Sequence, residues 1–540
     1  MRHPLQRPVV VAAVAALSVV LSAGPAQATP AHQDDGLVVL TPVAQDVGPS
    51  IAKSPGSDHR GEVKREGPLA KGTGGNRPKP GGAADGALQS SATTALGAVA
   101  GLSFDGVGAG LGAYSPCCAP PDTNASVGAT QVVQWVNLDF AVFSKTTGAL
   151  IQGPTPGNAF WNGFTAGNCG ANNDGDPIIK FDAQAQRWFA TQFSVTGGPP
   201  YYQCVAVSSG ADITTSTWTR YAYSFGSQFP DYPKLGVWPD AYYMSFNRFQ
   251  NGVSFSGAAA CAFDRAAMLA GNANATAQCF NLSTAVASLL PSDLDGATGA
   301  LGSTALPPSG APNVFANFGT SSLNLSKFHV DFVTSANSTF TTTSLAVPAF
   351  STACGGGTCI AQPGTNNQLD SLGDRLMYRL AYRNFGDHES LVVTHSVKGS
   401  GTAAPRWYEL RSTPAGGAFT LAQASSYAPD TTYRWMGSAA MDKLGDLAIG
   451  YSASSTALNP SIRYSGRLAA DPLNQLRIEE TIQAGGGSQT GTLHRWGDYS
   501  SMALDPSDDC TFWYTTEYLK TSGSFNWSTH LFSFRFPACQ

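Results

Sequence analysis

The chain has 540 residues, a formal net charge of −5 and only 12% charged residues. It holds no basic run interleaved with aromatics, which sets nucleic acid aside as a partner. After the first 28 residues no apolar stretch approaches the ~18 residues needed to span a membrane, which argues against insertion. Its 59 glycines, 34 prolines and abundant aromatics are the usage of an exported all-β protein with many turns.

In chain order, residues 1–28 read as a signal peptide. Arg2 and Arg7 give a positive start, 9–21 is apolar, and Ala26-Gln27-Ala28 is a small-residue cleavage site. The mature protein is therefore expected to be secreted and extracellular. Residues 29–90 are rich in Gly, Pro, Lys and Asp without hydrophobic period, and read as a flexible low-complexity leader, with a removed pro-segment as the alternative. The remaining 91–540 suffices for one large domain. Ten cysteines in the exported part imply disulfides. Proximity favours Cys169–Cys204, Cys261–Cys279, Cys354–Cys359 and Cys510–Cys539, leaving Cys117 and Cys118.

From residue 120 onward the chain divides into units bounded by Gly, Pro, Asn and Asp. The first opens at Pro120-Pro121-Asp122, with strands over 132–137, 140–144 and 149–152. The second opens at Gly175-Asp176-Pro177, with strands over 188–194, 202–208 and 219–224. The third opens at Phe229-Pro230-Asp231-Tyr232-Pro233, with strands over 242–249 and 260–264. Short helical turns fit 266–271 and 284–290. A weaker unit without a charged opening starts near residue 312. The last three open at Gly373-Asp374-Arg375, Tyr433-Arg434-Trp435 and His494-Arg495-Trp496. Asp122, Asp176 and Asp231 stand 54 and 55 residues apart; Arg375, Arg434 and Arg495 stand 59 and 61 apart. About four short strands per such period mark a β-propeller, with seven blades, or six if the weak unit is an insertion. The last unit has only three strands of its own, so a strand within 92–104 is expected to complete it and close the ring.

Matching positions of successive blades point at one central funnel, which gathers the candidate site residues. Arg375, Arg434 and Arg495 are placed to hold an anionic group bidentately, or else to pair with acids and brace the ring. Asp122, Asp176 and Asp231 offer the paired carboxyls that glycoside cleavage needs, or cap their own turns. Tyr232, Lys234, Asp498 and Tyr499 flank the same openings. Trp435 and Trp496 are placed to stack on a sugar, or to wedge between blades. Gly386-Asp387-His388-Glu389 reads as a hairpin corner. Asp293-Leu294-Asp295-Gly296 offers oxygens for a structural calcium but lacks the spacing of a full loop motif. No other cofactor is expected.

Pro120–Gly128 (PPDTNASVG), Asp231–Pro239 (DYPKLGVWP), Asp370–Leu391 (DSLGDRLMYRLAYRNFGDHESL), Tyr433–Asp442 (YRWMGSAAMD) and Arg495–Pro506 (RWGDYSSMALDP) resemble a family of secreted bacterial proteins with sialidase-like propeller domains. The resemblance implies a propeller and no settled activity. Towards sialidases proper it is looser: Tyr499 or Tyr232 would stand for their tyrosine nucleophile, but the repeated S-x-D-x-G-x-T-W box is missing. The leading expectation is a monomeric, secreted glycan-active enzyme cleaving an acidic polysaccharide. The arginines would hold the substrate while Asp122, Asp176 or Asp231 act as acid and base. An elimination variant would use Tyr232 or Tyr499. The alternative is a non-catalytic propeller binding carbohydrate or protein at the cell surface.

Overall fold

The computed structural model describes residues 36–53, 65–66, 84–296, 305–414 and 416–540. The expected signal peptide and much of the leader lie outside these residues. Strands are the dominant regular structure of the described chain, with a few 3-10 turns and one short α-helix, Arg265–Leu269, close to the turn expected at 266–271. Over 284–290 a single turn forms, with the Val286 N–H donating to the Ser283 carbonyl at 3.0 Å, and no helix follows.

Among the described residues seven four-stranded antiparallel meanders succeed one another, the last taking its fourth strand from the N-terminal side. Their first strands are Asn124–Val127, Ile178–Asp182, Gln228–Val237, Leu290–Leu294, Leu376–Asn384, Tyr433–Met441 and Ser501–Leu504. Each packs beside the first strand of the next meander, and the seventh packs beside the first, so these strands ring one axis. The fold is a β-propeller. Val99–Asp105 pairs antiparallel with Ser528–Arg535 as the outermost strand of the seventh meander, which closes the ring as expected and hides a sheet edge. The fourth meander starts earlier than expected. Its inner strand is Leu290–Leu294, whose residues 292–294 also run parallel to Leu380–Tyr382 of the fifth.

The strands are rich in Val, Ile, Phe, Tyr and Trp, which suit a pleated surface. Stacking the sheets face to face buries both sides, so strands such as Gln131–Val136 and Ile178–Asp182 show no polar alternation. Aromatic pairs bridge neighbouring blades: Phe189–Tyr242 and Tyr464–Phe534 at 4.4 Å, and Trp435–Trp496 at 5.9 Å. At the axis the third and fourth inner strands approach so closely that a Cβ on Gly236 would lie 2.2 Å from the Ser292 carbonyl oxygen. One end of the channel is filled by a buried ion network, with Lys180 Nζ 2.5 Å and Arg379 Nε 2.6 Å from Asp293 Oδ2, and Arg379 also paired with Asp295.

The leader holds more structure than its composition suggests. Leu37–Leu40 adds to the edge of the third blade beside Ala277–Asn281, and Ala44–Gly48 adds to the second beside Trp218–Gly226. An edge strand takes its hydrogen bonds from the sheet it covers and needs no core of its own, so hydrophobic content alone does not reveal it. Arg65–Glu66 pairs in parallel with Cys118–Ala119. All four disulfides expected from proximity are present; they fit a chain matured in an oxidising compartment. No helix among the described residues is long and apolar enough to cross a membrane.

Candidate functional site

At the head of the blades the backbone passes through a left-handed residue just before or within the first strand. Asp122 and Asp176 (φ 46° each), Tyr232 (56°), Ser288 (52°), Leu372 (42°), Met436 (55°) and Gly497 (60°) hold these positions. Only the last is a glycine. An L-residue there costs roughly 1–2 kcal/mol, which the surrounding ring must offset. The kinks turn side chains from several blades towards the axis.

They meet in a cavity of about 270 Å³ at one end of the channel, lined by Asp122, Asp174, Asp176, Asp231, Tyr232, Arg375, Arg495 and Asp498, with Phe193 and Phe229 on its wall. Asp122 accepts from the Asp498 backbone N–H at 2.6 Å and from Asn137 Nδ2 at 3.0 Å. Asp176 accepts from the Tyr232 N–H at 3.2 Å, and its own N–H donates to Asn137 Oδ1 at 3.1 Å. These two carboxyls thus brace neighbouring blades as well as facing the cavity. Asp231 is partly exposed and pairs through its backbone with Asn247, while its carboxyl makes no hydrogen bond to the described residues. The two arginines in the wall are already engaged: Arg375 Nε lies 2.9 Å from Asp374 Oδ1, and Arg495 is ion-paired with Asp498. The Arg375 guanidinium also stacks 4.6 Å from the Tyr232 ring centre.

Other expected members lie elsewhere. Arg434 is fully buried away from the cavity, paired with Asp430 and with Glu479 at 2.7 Å. It therefore braces its own blade and does not face a substrate. Trp435 and Trp496 are 0% exposed and belong to the inter-blade core, with the Trp496 N–H donating to Ser452 Oγ at 3.0 Å, so neither can stack on a sugar. Tyr499 and Lys234 do not line the cavity: both are buried, packed behind Tyr232, which does. Lys234 Nζ lies 3.3 Å from the Tyr232 ring centre and 4.2 Å from that of Tyr499, and donates to the Pro233 carbonyl at 2.8 Å. The Tyr499 hydroxyl donates to Pro177 O at 3.4 Å. Asp293 and Asp295, the calcium candidates, are spent on Lys180 and Arg379. Among the described residues no three His, Cys, Asp or Glu side chains gather to hold a metal ion. His388 sits at a hairpin corner, 2.7 Å from Asp387 Oδ1.

Crowding carboxyls out of water raises their proton affinity. Burial pushes Asp122 and Asp231 well above the usual carboxylate range, and the neighbouring carboxylates add to it. Asp176 is pushed up to about 6, by burial first and then by Asp498. Burial lowers Lys234 to about 8, against the pull of Asp176 and Asp498. Because folded Asp176 holds its proton more tightly than the unfolded side chain, the protein loses stability as pH rises from about 4 to about 6. Asp176→Asn removes that loss and keeps an acceptor for Tyr232. Relative to wild type, the variant should be more stable at pH 7 than at pH 4, by at most about 1.4 kcal/mol per pH unit crossed. Urea denaturation at the two pH values checks this; a constant difference would contradict it.

Sequence reasoning missed Glu517, in the second strand of the last blade, Phe512–Tyr518. It is 2% exposed, its Oε1 lacks a partner among the described residues, and burial holds its carboxyl well above the usual range despite the nearby Arg495. The available signal was a lone carboxylate inside a strand otherwise read as core. Asn137, which ties Asp122 to the Asp176 backbone, was also missed; it follows a strand and carries no charge.

No protein-family model and no curated protein sequence matches the chain. Among solved structures it is similar to the WD40 domain of SCAP from fission yeast (6% identity, 76% of this chain and 82% of that one, TM-score 0.32). It is also similar to Trypanosoma rangeli sialidase in complex with sialic acid (10% identity, 67% and 54%, TM-score 0.24). A third is Drosophila Plexin A in complex with Semaphorin 1b (5% identity, 84% and 89%, TM-score 0.25). The chain thus spans about half the length of that sialidase.

Proposed function

We propose that the axial cavity is the active site of a glycan hydrolase that acts at chain ends, with Asp231 as general acid and Asp176 or Asp122 as its partner carboxyl. The observation that carries this reading is Asp231 itself: a carboxyl that faces the cavity, makes no hydrogen bond to the described residues, and is pushed towards its protonated form by burial and by Asp176 and Asp498. A protonated carboxyl at neutral pH is what leaving-group protonation requires. The partner must be a second carboxyl on the same cavity, and Asp176, titrating near 6, meets that need. At about 270 Å³ the cavity is at the small end of ligand pockets, ~300–1,000 Å³, and Lys234 and Tyr499 are packed behind its lining residue Tyr232. A cavity of that size suits one terminal sugar better than a run of them.

An acidic sugar is less well served. The wall's guanidiniums already pair with Asp374 and Asp498, while Asp122, Asp174, Asp176 and Asp231 add further carboxyls. We therefore favour a neutral or amino sugar. Elimination is disfavoured too: burial drives the Tyr232 and Tyr499 hydroxyls up, away from service as bases. The binding-only reading is favoured by one feature, that Asp122 and Asp176 both brace backbone. Incubating the full chain with a panel of neutral, amino-sugar and uronate polysaccharides, and measuring released reducing ends, separates the readings. Monosaccharide release from neutral or amino-sugar members is expected. Retention of some members with none cut would replace the hydrolase with a binding propeller.

A further inference from the structure

The rim of the cavity carries the two cysteines that the four disulfides leave out. Cys117 and Cys118 are sequence neighbours, each partly exposed, with their sulfurs 2.7 Å apart. That lies between the ~2.05 Å of a disulfide bond and the ~3.5–4.0 Å of apolar contact, closer than two independent thiols would rest. The backbone around them is fixed. The Trp527 indole N–H donates to the Cys118 carbonyl at 2.7 Å, and Cys118–Ala119 pairs with Arg65–Glu66. The two sulfurs are thus held facing one another by a segment anchored from outside.

We propose that Cys117 and Cys118 form a disulfide between adjacent residues, a small ring closed through their shared peptide bond, and that this is a redox switch on the lip of the cavity. Formation passes both thiol protons and one electron pair to an oxidising disulfide, which leaves as two thiols; a reducing thiolate reverses it through a mixed disulfide. Two observations bear on this bond, the first of them shared with the partly exposed Cys354–Cys359. The first is access: Cys169, Cys204, Cys261, Cys510 and Cys539 are 0% exposed and Cys279 2%, so a reductant meets the rim pair before those three bonds. The second is connection. Cys118 lines the cavity, and the chain runs from it directly to Pro120 and Asp122 on the same wall. That stretch is pinned by Asn137, which donates from its side chain to the Pro120 carbonyl at 3.3 Å and to Asp122 at 3.0 Å, and from its N–H to the Pro121 carbonyl at 2.6 Å. Opening the ring lets the side chains at 117 and 118 separate at one end of a short tether whose other end is a site carboxyl. This inference stands whether the cavity cuts glycans or only binds them.

The test uses the full chain and reads mass, not activity. Unreduced protein is unfolded in the presence of iodoacetamide, digested and analysed by mass spectrometry. The expected result is no label on Cys117 or Cys118 and a peptide containing both that is two hydrogens lighter than its dithiol form. Label on both sulfurs, or either one cross-linked elsewhere, overturns the bond. In a graded titration of folded protein with dithiothreitol, that peptide should take up label at a lower reductant concentration than Cys169 and Cys204. Simultaneous or later labelling overturns the switch.

Discussion

Asp231→Asn should abolish most glycan hydrolysis, lowering turnover by about 10²–10⁴-fold, the range that a general acid contributes. The amide has nearly the shape of the protonated acid that burial favours here, so cavity packing should be unchanged. It brings no charge and removes none of the described hydrogen bonds, because the carboxyl makes none. Stability should therefore hold or rise, and retention of a bound oligosaccharide should persist. The same change at Asp122 or Asp176 is different in kind. Those carboxyls accept from backbone N–H groups of other blades, so their substitution mixes structure with chemistry. Turnover and binding measured side by side decide the matter. Unaltered turnover by Asp231→Asn would remove the acid from the proposed mechanism, whereas lost binding would make the residue a substrate contact.

What was legible in the sequence follows from what repeats. The opening of each blade lies on the axis, and several openings carry an Asp or Arg that marks the period, so the ring, the closing strand and the convergence of Asp122, Asp176, Asp231, Arg375 and Arg495 could be read in advance. The fourth blade was expected to start near residue 312, later than it does, because its left-handed residue is the uncharged Ser288. Equal spacing was misleading for Arg434. It stands two residues before Met436 as Arg495 stands two before Gly497, so their backbones correspond. A long side chain is nevertheless free to turn either way. Arg434 turns to Glu479, 45 residues further on, a partner that no local pattern announces. Trp435 and Trp496 show the same limit: period places them at the blade openings, but only packing tells that they face each other.

Arg379→Met should destabilise the protein by about 3–5 kcal/mol, the cost of leaving buried charge uncompensated. Arg379 is 2% exposed and binds Asp293 Oδ2 at 2.6 Å, Asp295 Oδ1 at 2.5 Å and the Met502 carbonyl at 3.2 Å. With Lys180 from the second blade, it balances two carboxylates supplied from the fourth, and it reaches the seventh through Met502. Methionine fills comparable space but strands Asp293 and Asp295 with a single lysine. The pH dependence gives an independent check. Asp293 is held below the usual carboxylate range by Lys180 and Arg379, which outweigh its burial, so it contributes stability at neutral pH that is lost as pH falls. In the variant that acid-side loss should shrink. Adding Asp295→Asn to Arg379→Met should recover part of the stability, because the second change removes a charge the first orphaned. Chemical denaturation of the single and double variants measures all three terms. A cost below about 1 kcal/mol for the single variant, typical of an exposed pair, would mean that this end of the channel is open to water and not sealed by its ions.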